Sequence, residues 1–123
     1  MDYIATSSAP SAIGPYSQAI VCGNTLYASG QIPINPETGA IEAKDIAGQT
    51  EQAYKNVGEV LKAAGMGFEN VVKTTCFLSD IGNFAAFNEV YAKYFVSKPA
   101  RSCVAVRDIP KGALCEIEII AVR

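Results

Sequence analysis

Two amphipathic helices, each flanked by β-rich sequence, constrain the fold of this chain most strongly. Apolar residues recur at spacings of three and four over residues 46–64, which predicts a helix with one apolar face. Asp45 can cap its start, and Gly65 can end it in the left-handed conformation. A second helix is predicted over residues 83–95, where the apolar stripe is largely aromatic. We expect that stripe to be core, although its spacing also suits a box of aromatic side chains around a ligand.

Five β-rich segments surround these helices. The first two meet at a Gly-Asn turn at residues 23–24, and the third, 71–79, is rich in β-branched residues without a breaker. The last two are predicted over residues 102–106 and 114–122. The resulting order, β-β-α-β-α-β-β, predicts an α+β fold in which both helices pack on one face of a single mixed sheet.

The length and apolar content of the chain bound its class. With 123 residues it is long enough for one domain, spanning 1–123, and too short for two. Half of its residues are hydrophobic, yet no apolar stretch approaches the roughly 20 residues of a membrane helix. The first residues have neither a basic segment nor an apolar core, so we predict no signal peptide and a cytoplasmic protein. The surplus of apolar residues favours burial of a surface against copies of the same chain.

Charge and residue usage exclude several classes of function. The net charge of −2 and the absence of a Lys/Arg block argue against a nucleic-acid binder. The absence of histidine removes Ser-His-Asp and Cys-His catalysis and most transition-metal sites. The four cysteines are scattered without a C-x-x-C pair, so we expect neither a metal cluster nor disulfides. An enzyme of this composition must work with carboxylate, guanidinium, hydroxyl, thiol, backbone and water.

Strand alternation groups the charged residues near the C-terminus. Arg101 and Cys103 share one face of their strand, and Glu116 and Glu118 share one face of the last strand, opposite its all-apolar face. We expect the apolar face to meet the helices, and the mixed face with Arg101 and Glu116 to be left for another subunit to cover. A charge buried there needs a partner. An ion pair, within the chain or across the interface, and a binding site for an anion are equally compatible with this pattern.

Seven motifs, found in this order, resemble the reactive intermediate deaminase family, also called the YjgF-like or RidA-like family. The chain is identified as a member of that family from residue 4 to its C-terminus, and PARSCV is the most specific motif. The resemblance implies a chorismate-mutase-like subunit and a homotrimer, in which three sheets form a central barrel and the active-site clefts lie between subunits. The motifs are AIGPYSQA (12–19), ASGQIP (28–33), NVGEVLKAAG (56–65), VVKTTCFLSD (71–80), FNEVY (87–91), PARSCVAV (99–106) and EIEIIAV (116–122).

The resemblance also implies a reaction. Family members of the RidA type hydrolyse 2-imino acids such as 2-iminopropanoate and 2-iminobutanoate to 2-keto acids and ammonia. These imines are in equilibrium with enamines such as 2-aminoacrylate, which pyridoxal-phosphate dehydratases release from serine and threonine. The implied reaction needs no cofactor and no metal.

The resemblance assigns its two central roles to charged residues. Arg101 matches the signature arginine of the family, whose planar fork suits bidentate capture of the substrate carboxylate. Glu116 matches the acidic residue that positions or activates the attacking water. Glu118 lies on the same face and is the alternative, as an interface or surface charge.

Five further residues are expected at the cleft, four of which, Tyr16, Ser29, Gly30 and Asn88, match positions of the family. Tyr16 is assigned a catalytic role, and its hydroxyl, the Ser29 hydroxyl and the Gly30 amide can bind the carboxylate or relay a proton. Asn88 is expected to contact the polar end of the substrate; a hydrogen bond to a backbone group is the alternative. Cys103 is expected to line the cleft; a nucleophilic role, with its thiol pKa lowered by the neighbouring arginine, is the alternative. Tyr16 can also be a packed aromatic after a Gly-Pro turn.

One segment departs from the family pattern. The stretch YFVSKPARS, residues 94–102, is shorter than in many relatives, and Lys98 stands where they carry an aromatic residue before the proline. The segment borders the expected cleft but leaves Arg101 and Glu116 in place. The preferred size of the substrate therefore stays open.

Two other classes of function stay open as well. The protein can be a non-catalytic trimer that binds small 2-keto or other carboxylic acids as a sensor or regulator. Some relatives are associated with RNA cleavage or chaperone activity, although the acidic charge and the absence of histidine argue against nuclease chemistry. Family folds do not guarantee family activity, but the presence of both Arg101 and Glu116 favours the enzyme.

Overall fold

The computed structural model, which describes all 123 residues, contains six strands and two α-helices. They are β1 Asp2–Ile4, β2 Ala19–Cys22, β3 Thr25–Ala28, α1 Ile46–Ala63, β4 Val71–Leu78, α2 Phe84–Tyr94, β5 Ala100–Ala105 and β6 Cys115–Val122. The strands form one sheet in the order β1-β2-β3-β6-β4-β5, in which only β4 and β5 run parallel. Both helices pack on one face of this sheet, which confirms the predicted α+β fold.

The first helix forms where its sequence signals place it. The Asp45 side chain accepts a hydrogen bond from the backbone N–H of Gly48 at 3.0 Å, as predicted for the residue that caps the helix. Gly65 follows the helix with a φ of +72°, a conformation that glycine adopts without a steric penalty. Neither α1 nor α2 is both long enough and apolar enough to cross a membrane.

Two strands differ from the prediction. β1 is not predicted, because three residues carry too little alternation to stand out; pairing with β2 makes it a strand. β5 begins at Ala100 rather than at residue 102, because its parallel pairing with β4 starts with Lys73 opposite Ala100. Arg101 therefore lies inside a strand, and that strand is an edge of the sheet.

The two faces of the sheet differ in chemistry. Four residues of β6 face the helices: Cys115, Ile117, Ile119 and Ala121. They are buried and belong to a hydrophobic core of 21 residues. The opposite face, which we call the open face, carries Glu116 and Glu118 beside the exposed side chains of Tyr27 and Val104. That a second subunit covers the open face stays a prediction, and it is based on the exposure of these apolar side chains.

Candidate active site

Arg101 lies on the helix face of the sheet, not on the open face. The register pairs Thr74 with Arg101 on one side and with Ile119 on the other, and side chains of residues aligned in this way point to the same face. The prediction that Arg101 shares the uncovered face with Glu116 is therefore wrong, and the two form no ion pair within the chain. Alternation orders side chains within one strand, but the pairing between strands decides which set meets the helices.

One amide and two aromatic rings hold the guanidinium of Arg101. Its Nη1 donates a hydrogen bond to the Oδ1 of Asn88 at 2.7 Å. Its central carbon lies 4.6 Å from the ring centroid of Tyr91 and 5.4 Å from that of Phe84, distances at which a ring attracts a cation. Arg101 makes no salt bridge and no second side-chain hydrogen bond, so most of its N–H donors are available to a ligand.

The ring of Tyr91 is itself held in place by a hydrogen bond to β4. Its hydroxyl shares a 2.8 Å hydrogen bond with the Oγ1 of Thr74, the residue of β4 that is paired with Arg101. Burial raises the pKa of the Tyr91 hydroxyl, which therefore stays neutral. The aromatic stripe of α2 is thus divided: Phe87 is core, as predicted, whereas Phe84 and Tyr91 flank Arg101.

Arg101 opens into a cleft between the second half of α2 and the start of β5, which we call the arginine cleft. The cleft has a volume of about 370 Å³. Its lining residues are Asn88, Tyr91, Ala92, Phe95, Val96, Lys98, Pro99 and Arg101. Both charged residues in this set, Lys98 and Arg101, are cations, and no acidic residue lines the cleft. The arrangement suits a small anion.

Cys103 lies two residues beyond Arg101 on the same face of β5, where it is partly buried and packs against the core. Burial raises the pKa of its thiol, and the positive charge of Arg101 offsets this only in part. The thiol is therefore protonated near neutral pH, which disfavours the nucleophilic alternative and makes Cys103 a neutral neighbour of Arg101.

Glu116 opens into a second cleft, on the open face, which we call the glutamate cleft. Its volume is about 400 Å³. Its lining residues are Ile13, Tyr16, Ser29, Gly30, Ile32, Pro110, Glu116 and Glu118. The cleft thus gathers the catalytic glutamate and tyrosine that the resemblance implies together with two further residues of the same set, Ser29 and Gly30.

Gly30 lies against the carboxyl group of Glu116. Backbone hydrogen bonds of 2.8 and 3.1 Å between Gln31 and Ile117 tie the chain after β3 to β6 and bring the two residues together. A Cβ at position 30 would lie 2.9 Å from the Cδ of Glu116, so a larger residue would displace the carboxylate. The N–H of Gly30 makes no hydrogen bond within the chain.

Tyr16 and Ser29 supply the hydroxyl groups of the glutamate cleft. Tyr16 is 49% exposed, and its oxygen accepts a long hydrogen bond of 3.4 Å from the N–H of Ile13. The Oγ of Ser29 donates to the carbonyl of Ser17 at 2.6 Å. The hydroxyl proton of Tyr16 is therefore free to reach a ligand, whereas that of Ser29 is engaged with the backbone.

The carboxyl group of Glu116 has surroundings that favour its neutral form. Partial burial is the main cause that raises its pKa above the ordinary value, and repulsion from Glu118, two residues along on the same face, adds to it. A carboxylate with a raised pKa accepts a proton more readily than an unperturbed glutamate, which suits a general base.

Within one chain the two clefts are separate. The arginine cleft, with Arg101 and Asn88, faces α2, whereas the glutamate cleft, with Glu116 and Gly30, lies on the other face of the sheet. No three His, Cys, Asp or Glu side chains come close enough together to hold a metal ion. The residues singled out from the sequence thus form two groups that a single chain does not bring together.

Residues 6–123 match the protein family described as Endoribonuclease L-PSP. The chain belongs to this family. The L-PSP family is the YjgF-like or RidA-like family to which the sequence motifs pointed, so that identification is confirmed.

Several members of the L-PSP family are similar to almost the whole chain. The 2-iminobutanoate/2-iminopropanoate deaminase of Homo sapiens is 50% identical over 98% of this chain and 88% of its own length. AldR of Lactococcus lactis, described as a candidate regulator, is 52% identical over 98% of this chain and 97% of its own. The crystal structure of TdcF from E. coli with bound serine matches with a TM-score of 0.95 at 42% identity, over 100% of this chain and 99% of that one.

Three side chains around Arg101 are not among the site residues predicted from the sequence: Thr74 and Tyr91, which lie within two of the family motifs, and Phe84, which lies outside them. A signal for two of them exists in the sequence, because residues 84, 88 and 91 are spaced by four and three and so share one face of α2. That spacing groups Phe84 and Tyr91 with Asn88. Thr74 carries no comparable signal, because its place beside Arg101 depends on the register of two strands.

Proposed function

We propose that this protein is an imine deaminase that hydrolyses 2-imino acids, including 2-iminopropanoate and 2-iminobutanoate, to 2-keto acids and ammonia. The observation that carries the proposal is the Arg101 guanidinium, which is held by Asn88 and the Tyr91 ring and has no carboxylate beside it. Its fork matches the carboxylate that all 2-imino acids share. The human relative named for this reaction and the structure of TdcF with bound serine support the proposal.

The proposed active site is completed between subunits of a homotrimer, as the family resemblance implies. The arginine cleft of one subunit faces the glutamate cleft of its neighbour. Two features support this arrangement: Arg101 and Glu116 lie on opposite faces of their own sheet, and the open face exposes Tyr27 and Val104 to a partner.

In the proposed reaction Arg101 binds the substrate carboxylate while Asn88 keeps the guanidinium in place. The carboxylate of Glu116 accepts a proton from a water molecule as the water oxygen bonds to the imine carbon. That proton passes to the nitrogen, which gives a tetrahedral carbinolamine. Loss of the hydroxyl proton to the base and its return to the nitrogen break the C–N bond and release ammonia and the 2-keto acid. The free N–H of Gly30 and the hydroxyl of Tyr16 can hydrogen-bond the ligand or carry a proton.

The test is a coupled assay in which a serine dehydratase generates 2-aminoacrylate in the presence of the full chain. We expect pyruvate to form faster than by the uncatalysed hydrolysis of the imine, in proportion to the amount of protein. The matched control is the same assay with heat-inactivated protein. The assay is repeated with threonine, which gives 2-iminobutanoate, and absence of acceleration with both amino acids would contradict the proposal.

Gly30→Ala should slow the reaction while leaving the fold intact. The added methyl group would push against the Cδ and Cγ of Glu116, at 2.9 and 3.0 Å, and so displace the general base. A displacement of this kind costs about tenfold or more in kcat. The measurement is kcat for 2-iminobutanoate together with the urea midpoint, which should change little because residue 30 lies in a partly exposed segment. Full activity in the variant would show that the position of Glu116 is unimportant.

A second candidate is a non-catalytic binder of small carboxylic acids. It is favoured by one observation: the arginine cleft is complete in a single chain, without Glu116. In that case 2-oxobutanoate should bind by calorimetry although no imine is hydrolysed faster. The family description also names RNA cleavage, but the net charge of −2 and the absence of histidine do not favour it.

A further inference from the structure

The turn between α2 and β5 holds a lysine in an unusual backbone conformation. Lys98 has a φ of +53° and is one of two non-glycine residues with a positive φ, the other being Lys111. Its N–H donates to the carbonyl of Phe95 at 3.0 Å, and Pro99 follows it directly. Such a conformation is sparsely populated for a long side chain, and a residue before proline is restricted further. It persists only where the surroundings hold it, and residues of this kind cluster at ligand sites.

This conformation places Lys98 on the rim of the arginine cleft. Lys98 and Arg101 are the only charged residues that line the cleft, and the ammonium of Lys98 makes no salt bridge. Lys98 and Arg101 are three positions apart, so their Cα atoms are separated by at most about 10 Å and both cations can reach one small molecule. Between them the lining includes the apolar side chains of Ala92, Phe95 and Val96.

Two cations in one cleft are complementary to two negative charges, and a single carboxylate carries only one. If Arg101 takes the carboxylate next to the imine, Lys98 faces the other end of the bound molecule. A substrate with a second carboxylate at the far end of its carbon chain satisfies both cations, whereas a short aliphatic imine leaves the ammonium without a partner. The aromatic residue that many relatives carry before the proline would offer no such charge.

We propose that Lys98 is a specificity-determining residue that favours dicarboxylic 2-imino acids, with Arg101 holding the carboxylate beside the imine and Lys98 the distal carboxylate. The inference rests on the proposed function of the arginine cleft. Lys98 is exposed, so its contribution is that of a partly screened ion pair. The preference should therefore be modest and should decrease as the salt concentration rises.

The experiment compares the wild type with Lys98→Met, which keeps the length of the side chain and removes its charge. The substrates are 2-iminoglutarate and 2-iminobutanoate, generated in situ from the amino acids by an oxidase. We expect kcat/KM for 2-iminoglutarate to fall about two- to fivefold, and kcat/KM for 2-iminobutanoate to stay the same. The matched control is Lys93→Met, which removes an exposed lysine of α2 that is paired with Glu51 outside the cleft. It should change neither value.

A second variant separates charge from backbone strain. Lys98→Gly relieves the strained φ, so it should raise the urea midpoint while it loses the same preference for 2-iminoglutarate. A purely structural role of Lys98 would move stability and leave the ratio of the two substrates unchanged. An equal loss for both substrates in Lys98→Met, or no loss for either, would overturn the inference.

Binding measured by calorimetry distinguishes failure of this inference from failure of the proposed function. The probes are 2-oxoglutarate and 2-oxobutanoate, which keep the carboxylates of the two imines but cannot be deaminated. Tighter binding of 2-oxoglutarate that is lost in Lys98→Met supports the inference even if no imine is hydrolysed faster. Equal binding of the two acids by the wild type overturns it even if the deaminase assay succeeds.

Discussion

Arg101→Ala should lower kcat/KM for 2-iminopropanoate by about two to three orders of magnitude. The substitution removes the group proposed to bind the substrate carboxylate, and truncation of one partner of a desolvated charge pair typically costs about 2–5 kcal/mol. The loss should appear mainly in KM if the carboxylate is bound equally in the ground state and the transition state, and in kcat if its role is to orient the imine carbon. The coupled pyruvate assay measures both constants.

Arg101→Lys is the matched variant for this experiment. It keeps the positive charge but replaces the planar fork by a single ammonium, so activity should lie between the wild type and Arg101→Ala. Both variants should stay folded, because Arg101 is only partly buried on an edge strand and Asn88 can turn to water. Circular dichroism and the elution volume of the oligomer test this. Wild-type activity in a folded Arg101→Ala variant would mean that the carboxylate binds elsewhere.

Glu116→Gln should lower kcat by about two to four orders of magnitude, the range expected when a general base is lost. Glutamine has almost the same shape, so the contact with Gly30 is kept and only the capacity to accept a proton is removed. Glu118→Gln is the matched control, because it makes the same change two residues along on the same face of β6. It should keep most of the activity. Loss of activity in Glu118→Gln but not in Glu116→Gln would instead identify Glu118 as the general base.

The pH profile gives a second, directional test of Glu116. Because burial and then Glu118 raise its pKa, the acid limb of kcat/KM should lie at a higher pH than for an unperturbed glutamate. Activity should rise with pH as Glu116 ionises. Glu118→Gln removes the like-charge repulsion, so its acid limb should move to lower pH; a limb that stays or moves to higher pH would contradict this. The raised pKa also means that Glu116 favours folding at pH values below its ordinary pKa, and that this contribution is lost as the pH rises through its pKa in the folded protein.

The fold could be predicted largely from the sequence because its signals are local. The period of α1, its Asp45 cap and the glycine after it need no knowledge of the rest of the chain. The face of Arg101 could not be predicted in the same way. Alternation places Arg101 with Cys103, but only the pairing of β5 with β4 shows that both point toward α2. Both faces of an edge strand such as β5 are partly exposed, so burial preference offers no correction.

The candidate site shows the same division between local and non-local information. Motif resemblance was enough to single out Arg101, Glu116 and Gly30. The side chains around Arg101 could not be predicted from the motifs. Tyr91 has the spacing of a core residue, and it contacts the Arg101 guanidinium only because β5 lies beside α2 in the folded chain. The significance of Lys98 likewise depends on a backbone angle, which side-chain chemistry does not reveal.

The placement of Arg101 and Glu116 on opposite faces of one sheet has a genetic consequence if the protein is the proposed homotrimer and each cleft takes one residue from each of two neighbouring subunits. A subunit that carries Arg101→Ala and Glu116→Gln together would inactivate two clefts of the ring it joins, whereas a subunit with either substitution alone would inactivate one. Two alleles that each carry a single substitution, and are each inactive when expressed alone, would rebuild an intact cleft in every mixed trimer. The same two substitutions would therefore complement each other when they lie on different subunits, and would inactivate two clefts of the assembly when they lie on one subunit.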